Sequence, residues 1–126
     1  LTYATEIFSY FILGQWSSIL QIAQKVTFSS YADTYLLIGL AHCNLGDYEQ
    51  AEASYTRTLE AYPDYILAYL LRAEVRLKQE NNVGALADIA VITQSNLADR
   101  FAPLIAGAQT GEISCETILD IDFSNF

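Results

Sequence analysis

A Tyr-Leu-Leu triplet occurs twice in the chain, at residues 35–37 and again 34 residues later at 69–71. The same spacing relates Ala51 to Ala85, and Tyr55 to Ile89. Self-similarity at a period of this length is typical of arrays in which each helical unit buries its apolar face against its neighbours. The repeat therefore predicts an all-α chain whose function is to present a binding surface.

Residues 32–65 follow a helical-hairpin pattern position by position. In the first helix an aromatic residue, Tyr35, is followed by an apolar-glycine pair, Ile38 and Gly39. The turn contains Gly46, and an aromatic residue, Tyr48, comes after it. The second helix has a small residue where the helices cross, Ala51, and an aromatic residue, Tyr55, and Pro63 comes last. In this order and spacing they resemble the tetratricopeptide repeat (TPR). The resemblance implies a right-handed α-solenoid of about three TPR helical hairpins with a C-terminal capping helix.

The register divides one domain into three repeats and a cap, at about residues 1–31, 32–65, 66–99 and 100–126. In the first repeat, Tyr3, Ile7 and Tyr10 are the expected core of the first helix, and Ser29 or Ser30 would cap the helix that follows. In the third repeat, Arg72 and Asp88 stand where the second has Ile38 and Ser54. We expect them to form a partly buried ion pair between the two helices of that hairpin.

The capping segment keeps apolar residues at helical spacing: Phe101, Leu104, Ile105 and Ala108. Because proline is tolerated in the first turn of a helix, Pro103 predicts a helix that begins near Arg100. Gly111 would end that helix. A short helix is expected over residues 113–121, and residues 122–126 form the chain's end.

In TPR proteins the first helix of each repeat lines the concave, ligand-binding face. The resemblance assigns to this face Ala4, Phe8, Phe11 and Ile12 of the first repeat, Leu36, Leu40, Cys43 and Asn44 of the second, and Leu70, Glu74, Leu77 and Lys78 of the third. Because leucines stand where carboxylate-binding family members place basic and amide side chains, this groove favours an apolar peptide segment of a partner. Two alternatives stay open: the helix over residues 101–108 fills the groove, and Glu74 with Lys78 is only a helix-surface pair.

The resemblance thus implies a non-enzymatic interaction module whose partner is a protein or peptide. The first alternative is a structural scaffold or an assembly subunit of a larger complex, in which case a homo-oligomer is possible. The second is a chaperone, since small acidic proteins with three repeats are similar to bacterial secretion chaperones that shield apolar clients.

Charge and hydropathy exclude other classes of partner. The net charge is −9 with only six lysines and arginines, whereas a nucleic-acid site needs a basic patch. The longest apolar stretches are much shorter than the roughly 20 residues of a membrane-spanning helix, so no direct membrane insertion is expected. Localisation is left open, with the cytoplasm favoured.

No residue pattern points to catalysis, a cofactor or a metal. The single histidine, His42, occupies a position that normally packs between helices, so a mostly buried imidazole is expected. The Asp120 and Asp122 pair lacks the remaining ligands of a calcium loop. The two cysteines, Cys43 and Cys115, belong to no Cys-x-x-Cys motif, and free, packed thiols are expected in preference to a bridge.

Overall fold

The computed structural model describes residues 3–26 and 32–118, and these ranges contain seven α-helices and no strand. In chain order they are α1 (Tyr3–Ile12), α2 (Trp16–Ala23), α3 (Ala32–Asn44), α4 (Tyr48–Ala61), α5 (Ile66–Lys78), α6 (Asn82–Thr93) and α7 (Ala98–Thr110). Consecutive helices pack against each other from α1 to α6, and α7 packs against α5 and α6. The predicted all-α array of helical hairpins is confirmed.

The second and third hairpins repeat the same turn and cap at the predicted spacing. Asp47 accepts a hydrogen bond from the backbone N–H of Gln50 at 3.2 Å, and Asn81 accepts one from Gly84 at 3.0 Å. These side chains satisfy helix N–H groups that have no partner within the helix. The residue before each cap is left-handed, but it is glycine only in the second repeat: Gly46 has φ 84° and Glu80 has φ 61°.

Small residues stand at the helix crossings, as the repeat pattern requires. Ala51 and Ala85 are both fully buried. A Cβ added to Gly39 would lie 2.5 Å from Cε1 of Tyr55, on the facing helix. The helices of the second hairpin therefore approach too closely for a side chain at position 39.

The predicted ion pair of the third repeat is confirmed. Arg72 Nη2 lies 2.6 Å from Oδ1 of Asp88, and Arg76 Nη1 lies 2.9 Å from Oδ2. Asp88 is 2% exposed, and each of its two carboxylate oxygens is paired with an arginine. This network connects α5 to α6, because a buried carboxylate is tolerated when paired and hydrogen-bonded.

The first hairpin differs in part from its prediction. Ile7 and Ile19 are fully buried between α1 and its neighbours, but Tyr3 is 46% exposed and does not belong to the core. Tyr3 is the first residue of α1. The serines at 29 and 30 lie outside the described residues.

Helix α7 begins two residues earlier than predicted. It starts at Ala98, so Pro103 is its sixth residue and lies in the second turn. Gly111 ends it in the left-handed conformation, with φ 83°. Of the short helix predicted for residues 113–121, the described part forms bends and turns up to Thr117, and Ile118 is in a 3-10 helical conformation. The remainder, with Asp120 and Asp122, lies outside the described residues.

The prediction of free thiols is wrong, because Cys43 and Cys115 form a disulfide. Their Cα atoms are 6.1 Å apart, a separation that a disulfide spans. The sequence did not show this pairing because it depends on a reversal of the chain after α7. There the backbone N–H of Ile113 bonds to the carbonyl of Gly107 at 2.9 Å and turns residues 113–118 back over α3 and α5.

None of the described helices combines the length and the apolar character that a bilayer crossing requires.

Candidate functional site

The predicted concave-face residues divide into two groups that have different surroundings. Phe8, Phe11, Leu36 and Leu40 line an apolar cavity of about 330 Å³ between α1, α3 and α5. The cavity is completed by Leu37, Leu67, Leu71, Ile118, Asp33 and Tyr65. Both triplets thus contribute, with Leu37 and Leu71 at equivalent positions. We call this space the apolar cavity.

One polar contact lies at the rim of the apolar cavity. The hydroxyl of Tyr65 donates a hydrogen bond to Oδ1 of Asp33. Burial and this carboxylate raise the pKa of Tyr65 well above its ordinary value, so the hydroxyl keeps its proton. The rim therefore carries one carboxylate, while the wall is apolar.

Helix α1 forms the exposed side of the apolar cavity. Phe8 is 53% exposed, and Phe11 packs edge-on against Trp16 with ring centroids 5.8 Å apart. Ile12, predicted to face the groove, is 66% exposed and does not line the cavity. Ala4 and Phe8 line a neighbouring depression of about 280 Å³ with Leu37. Solvent-exposed apolar side chains thus continue outward from the cavity along α1.

The second group of predicted residues is covered by residues 113–118, which we call the C-terminal strap. Cys43 is bonded to Cys115, and Nδ2 of Asn44 donates to the Cys115 carbonyl at 3.2 Å. Lys78 Nζ lies 4.0 Å from Sγ of Cys115. Ile118 inserts into the core beside the leucines of α3. This part of the concave face is occupied by the chain itself.

Leu70 and Leu77 pack on the side of α7. Leu70 is 1% exposed and shares a core cluster with Leu104 and Ile105, and Leu77 packs against the same cluster. Leu40, which the sequence placed in an open groove, is only 4% exposed and belongs to the main core. Charged substitution at Leu40 would therefore disrupt the fold as well as the cavity.

Comparison with known protein families gives a match for the second hairpin. The tetratricopeptide repeat model matches residues 32–65, which are α3, α4 and the turn after them. Residues 32–65 are thus similar to a tetratricopeptide repeat. Comparison with curated proteins gives no match, and comparison with solved structures gives none. A repeat of this kind suggests a protein-protein interaction module and protein partners.

Within the TPR register, Glu74 takes the position of Leu40 one repeat later. Glu74 is 4% exposed, which excludes the alternative of a helix-surface pair with Lys78. Burial raises the pKa of Glu74, although the Lys78 ammonium, 3.0 Å from Oε1, and the backbone of Cys115 both act to lower it. A carboxylate thus stands beside the disulfide, at the buried position that corresponds to Leu40 of the preceding hairpin.

His42 is half-buried in a cavity of about 450 Å³ between α2, α3 and α4. Burial lowers the pKa of His42 below its ordinary value, and Asp47 partly opposes this shift. The imidazole is therefore neutral near physiological pH. Its neighbour in sequence, Cys43, is held in the disulfide and has no free thiol.

Seven residues of the site were not predicted from the sequence: Asp33, Leu37, Tyr65, Leu67, Leu71, Cys115 and Ile118. Asp33 is the second residue of α3, and Tyr65 is the N-cap residue of α5. Cys115 and Ile118 belong to the strap, beyond the repeats. The signal in the sequence was the repeat of the triplet itself, because its third residue, Leu37 or Leu71, also lines the cavity.

Proposed function

We propose that this chain is a non-enzymatic interaction module that binds an apolar peptide segment of a partner protein in the apolar cavity. The observation that carries this proposal is a cavity of about 330 Å³ whose wall is formed by apolar side chains of three different helices. It is not a closed core void, since Phe8 on its wall is 53% exposed. Each leucine- or phenylalanine-sized side chain buried there would contribute about 1.5–3 kcal/mol.

The charge of the chain narrows the class of partner. The net charge is −9, and Asp33 stands at the rim of the cavity. A positively charged partner is attracted over long range to such a surface, and lysine or arginine beside the apolar segment would pair with the rim. The expected ligand is a leucine- or phenylalanine-containing segment flanked by basic residues.

The proposal can be tested with a library of random peptides displayed on phage. The protein should enrich peptides that contain adjacent apolar residues, and Phe8→Asp should abolish their binding. Val83→Asp is the matched control, because it places the same charge at a residue that is 83% exposed on α6, away from the cavity. Peptides that bind both variants equally would exclude the cavity as the site.

A second candidate function, an assembly subunit, rests on helix α6. Three of its exposed side chains are large and apolar: Val83 is 83% exposed, Leu86 60% and Val91 40%. A stripe of this kind on the outermost TPR-like hairpin suits the stacking of a further subunit. If this function holds, Leu86→Asp lowers the molecular mass measured by light scattering, and Phe8→Asp leaves it unchanged.

A further inference from the structure

Three metal-ligating side chains converge beneath the C-terminal strap. Cys43 comes from α3, Glu74 from α5 and Cys115 from the strap itself. One ligand atom of each lies within 4.8 Å of the other two, and all three residues are buried. In a tetrahedral zinc site, neighbouring sulfur and oxygen ligands are about 3.4–3.8 Å apart, so small side-chain rotations would bring these atoms to that spacing.

Glu74 is the residue that the fold alone does not explain. At the equivalent position the preceding repeat has Leu40, and both residues are 4% exposed. Neither carboxylate oxygen of Glu74 has a hydrogen-bond partner among the described residues, although Lys78 Nζ lies 3.0 Å from Oε1. A buried carboxylate with this deficit costs stability, and leucine would avoid that cost. One of its carboxylate oxygens also lies within 4.8 Å of both sulfur atoms.

We propose that, once the disulfide is reduced, Cys43, Glu74 and Cys115 bind a thiophilic divalent cation, for which Zn²⁺ is the best fit. A phosphine supplies two electrons and takes the oxygen of one water molecule to become a phosphine oxide, and the two protons of that water complete the two thiols as the S–S bond breaks. A dithiol supplies two electrons and two protons itself and becomes a disulfide. Binding of the cation then displaces both thiol protons, so that two thiolates and the ionised carboxylate are the protein ligands. Sulfur ligands select zinc or cadmium over magnesium and calcium.

The charges under the strap suit this occupant. Two thiolates and one carboxylate carry three negative charges, a divalent cation carries two positive charges, and Lys78 supplies one more. Lys78 Nζ lies 3.0 Å from Glu74 and 4.0 Å from Sγ of Cys115, close enough to favour both in their anionic forms. The loaded site is neutral overall, which limits the cost of burying it.

The same three residues would therefore hold the strap in two chemical states. In the oxidised protein the disulfide joins α3 to the strap. In the reduced protein the cation joins α3, α5 and the strap, and Glu74 becomes a metal ligand in addition to its ion pair with Lys78. This inference does not depend on what the apolar cavity binds.

The test uses the whole chain, reduced with a phosphine that is then removed, and titrated with Zn²⁺ against a coloured chelator. We expect one Zn²⁺ per chain, and with Cd²⁺ an ultraviolet thiolate-to-metal charge-transfer band. Glu74→Leu restores the residue of the preceding repeat and should weaken Zn²⁺ binding at least about tenfold. Glu112→Leu removes an exposed carboxylate near the strap and should leave the affinity unchanged.

Two results would overturn the proposal. One is Zn²⁺ binding by the reduced protein that is no tighter than binding by the oxidised protein. The other is equal affinity in the reduced parent and Glu74→Leu, which would mean that the two thiols act without the carboxylate, as they would in an unfolded chain. Far-ultraviolet circular dichroism of each sample shows whether the helices are retained, and metal-induced recovery of helix in the parent alone supports the site.

Discussion

Removal of the Cys43–Cys115 disulfide should be the most costly single covalent change in this protein. The bond joins residues 72 positions apart and so restricts most of the unfolded chain. In the chain-entropy treatment, a closed loop of this length corresponds to about 4 kcal/mol near room temperature. Typical domains have only about 5–15 kcal/mol of total stability, so the loss is a large fraction of it.

The perturbation is the double substitution Cys43→Ala with Cys115→Ala, which leaves no thiol to mispair. The expected loss of about 4 kcal/mol comes from the bond itself. Because both cysteines are buried, the loss of sulfur packing adds a smaller cost. Urea unfolding followed by circular dichroism, with a chelator present, measures the difference between this variant and the oxidised parent. The parent treated with reductant and chelator serves as the control and should fall close to the variant.

In the variant without the disulfide, the strap should open before the rest of the structure. The strap is held by the disulfide, by Asn44 and by the packing of Ile118, so the amides of Ile113 and Ile118 should exchange faster with solvent in the variant. Amides in α3 and α4 should change less. If the variant and the oxidised parent unfold at the same urea concentration, then the strap is not held by this bond and the account is wrong.

Three further predictions concern the repeats. Ala51→Leu should lower the free energy of unfolding by about 1–3 kcal/mol through overpacking at a fully buried helix crossing, and an unchanged melting temperature would contradict the register. Glu80→Gly should raise the free energy of unfolding by about 0.5–1 kcal/mol, because glycine adopts φ 61° without the steric cost that glutamate has there. Gly46→Ala should lower the free energy of unfolding by a similar amount, and thermal unfolding of both variants measures the two effects. Glu74 has a raised pKa in the folded state, so its ionisation costs stability as the pH rises from the unfolded-state pKa through the folded one. Glu74→Gln should therefore be more stable than the parent at neutral pH, and urea titrations should show the advantage shrinking toward pH of about 4.

The helices and their pairing follow largely from the sequence. The spacing of 34 residues, the small residues at 51 and 85 and the capping side chains Asp47 and Asn81 all act within one hairpin or between adjacent hairpins. In a repeat array each unit contacts its neighbours in order, so the pattern along the chain also describes the packing. The ion pair of Arg72 with Asp88 was predictable for the same reason.

The candidate site depended on tertiary structure. The family register placed Leu36, Leu40, Cys43 and Glu74 together on one face, but it carried no information about what covers that face. Coverage depends on the turn at Gly107 and Ile113, where the chain reverses after α7. A contact between residues 72 positions apart leaves no periodic trace in the sequence.

The sequence by itself thus determined the hairpins, their register and the apolar character of the concave face, because these properties arise from interactions that are local or repeat at a constant interval. Only the tertiary structure decided that the strap occupies one half of that face and leaves the apolar cavity at the other. It also decided that Cys115 reaches Cys43 beside the buried Glu74. Those contacts join distant parts of the chain, and their formation is settled by the packing of α7 and the strap as a whole.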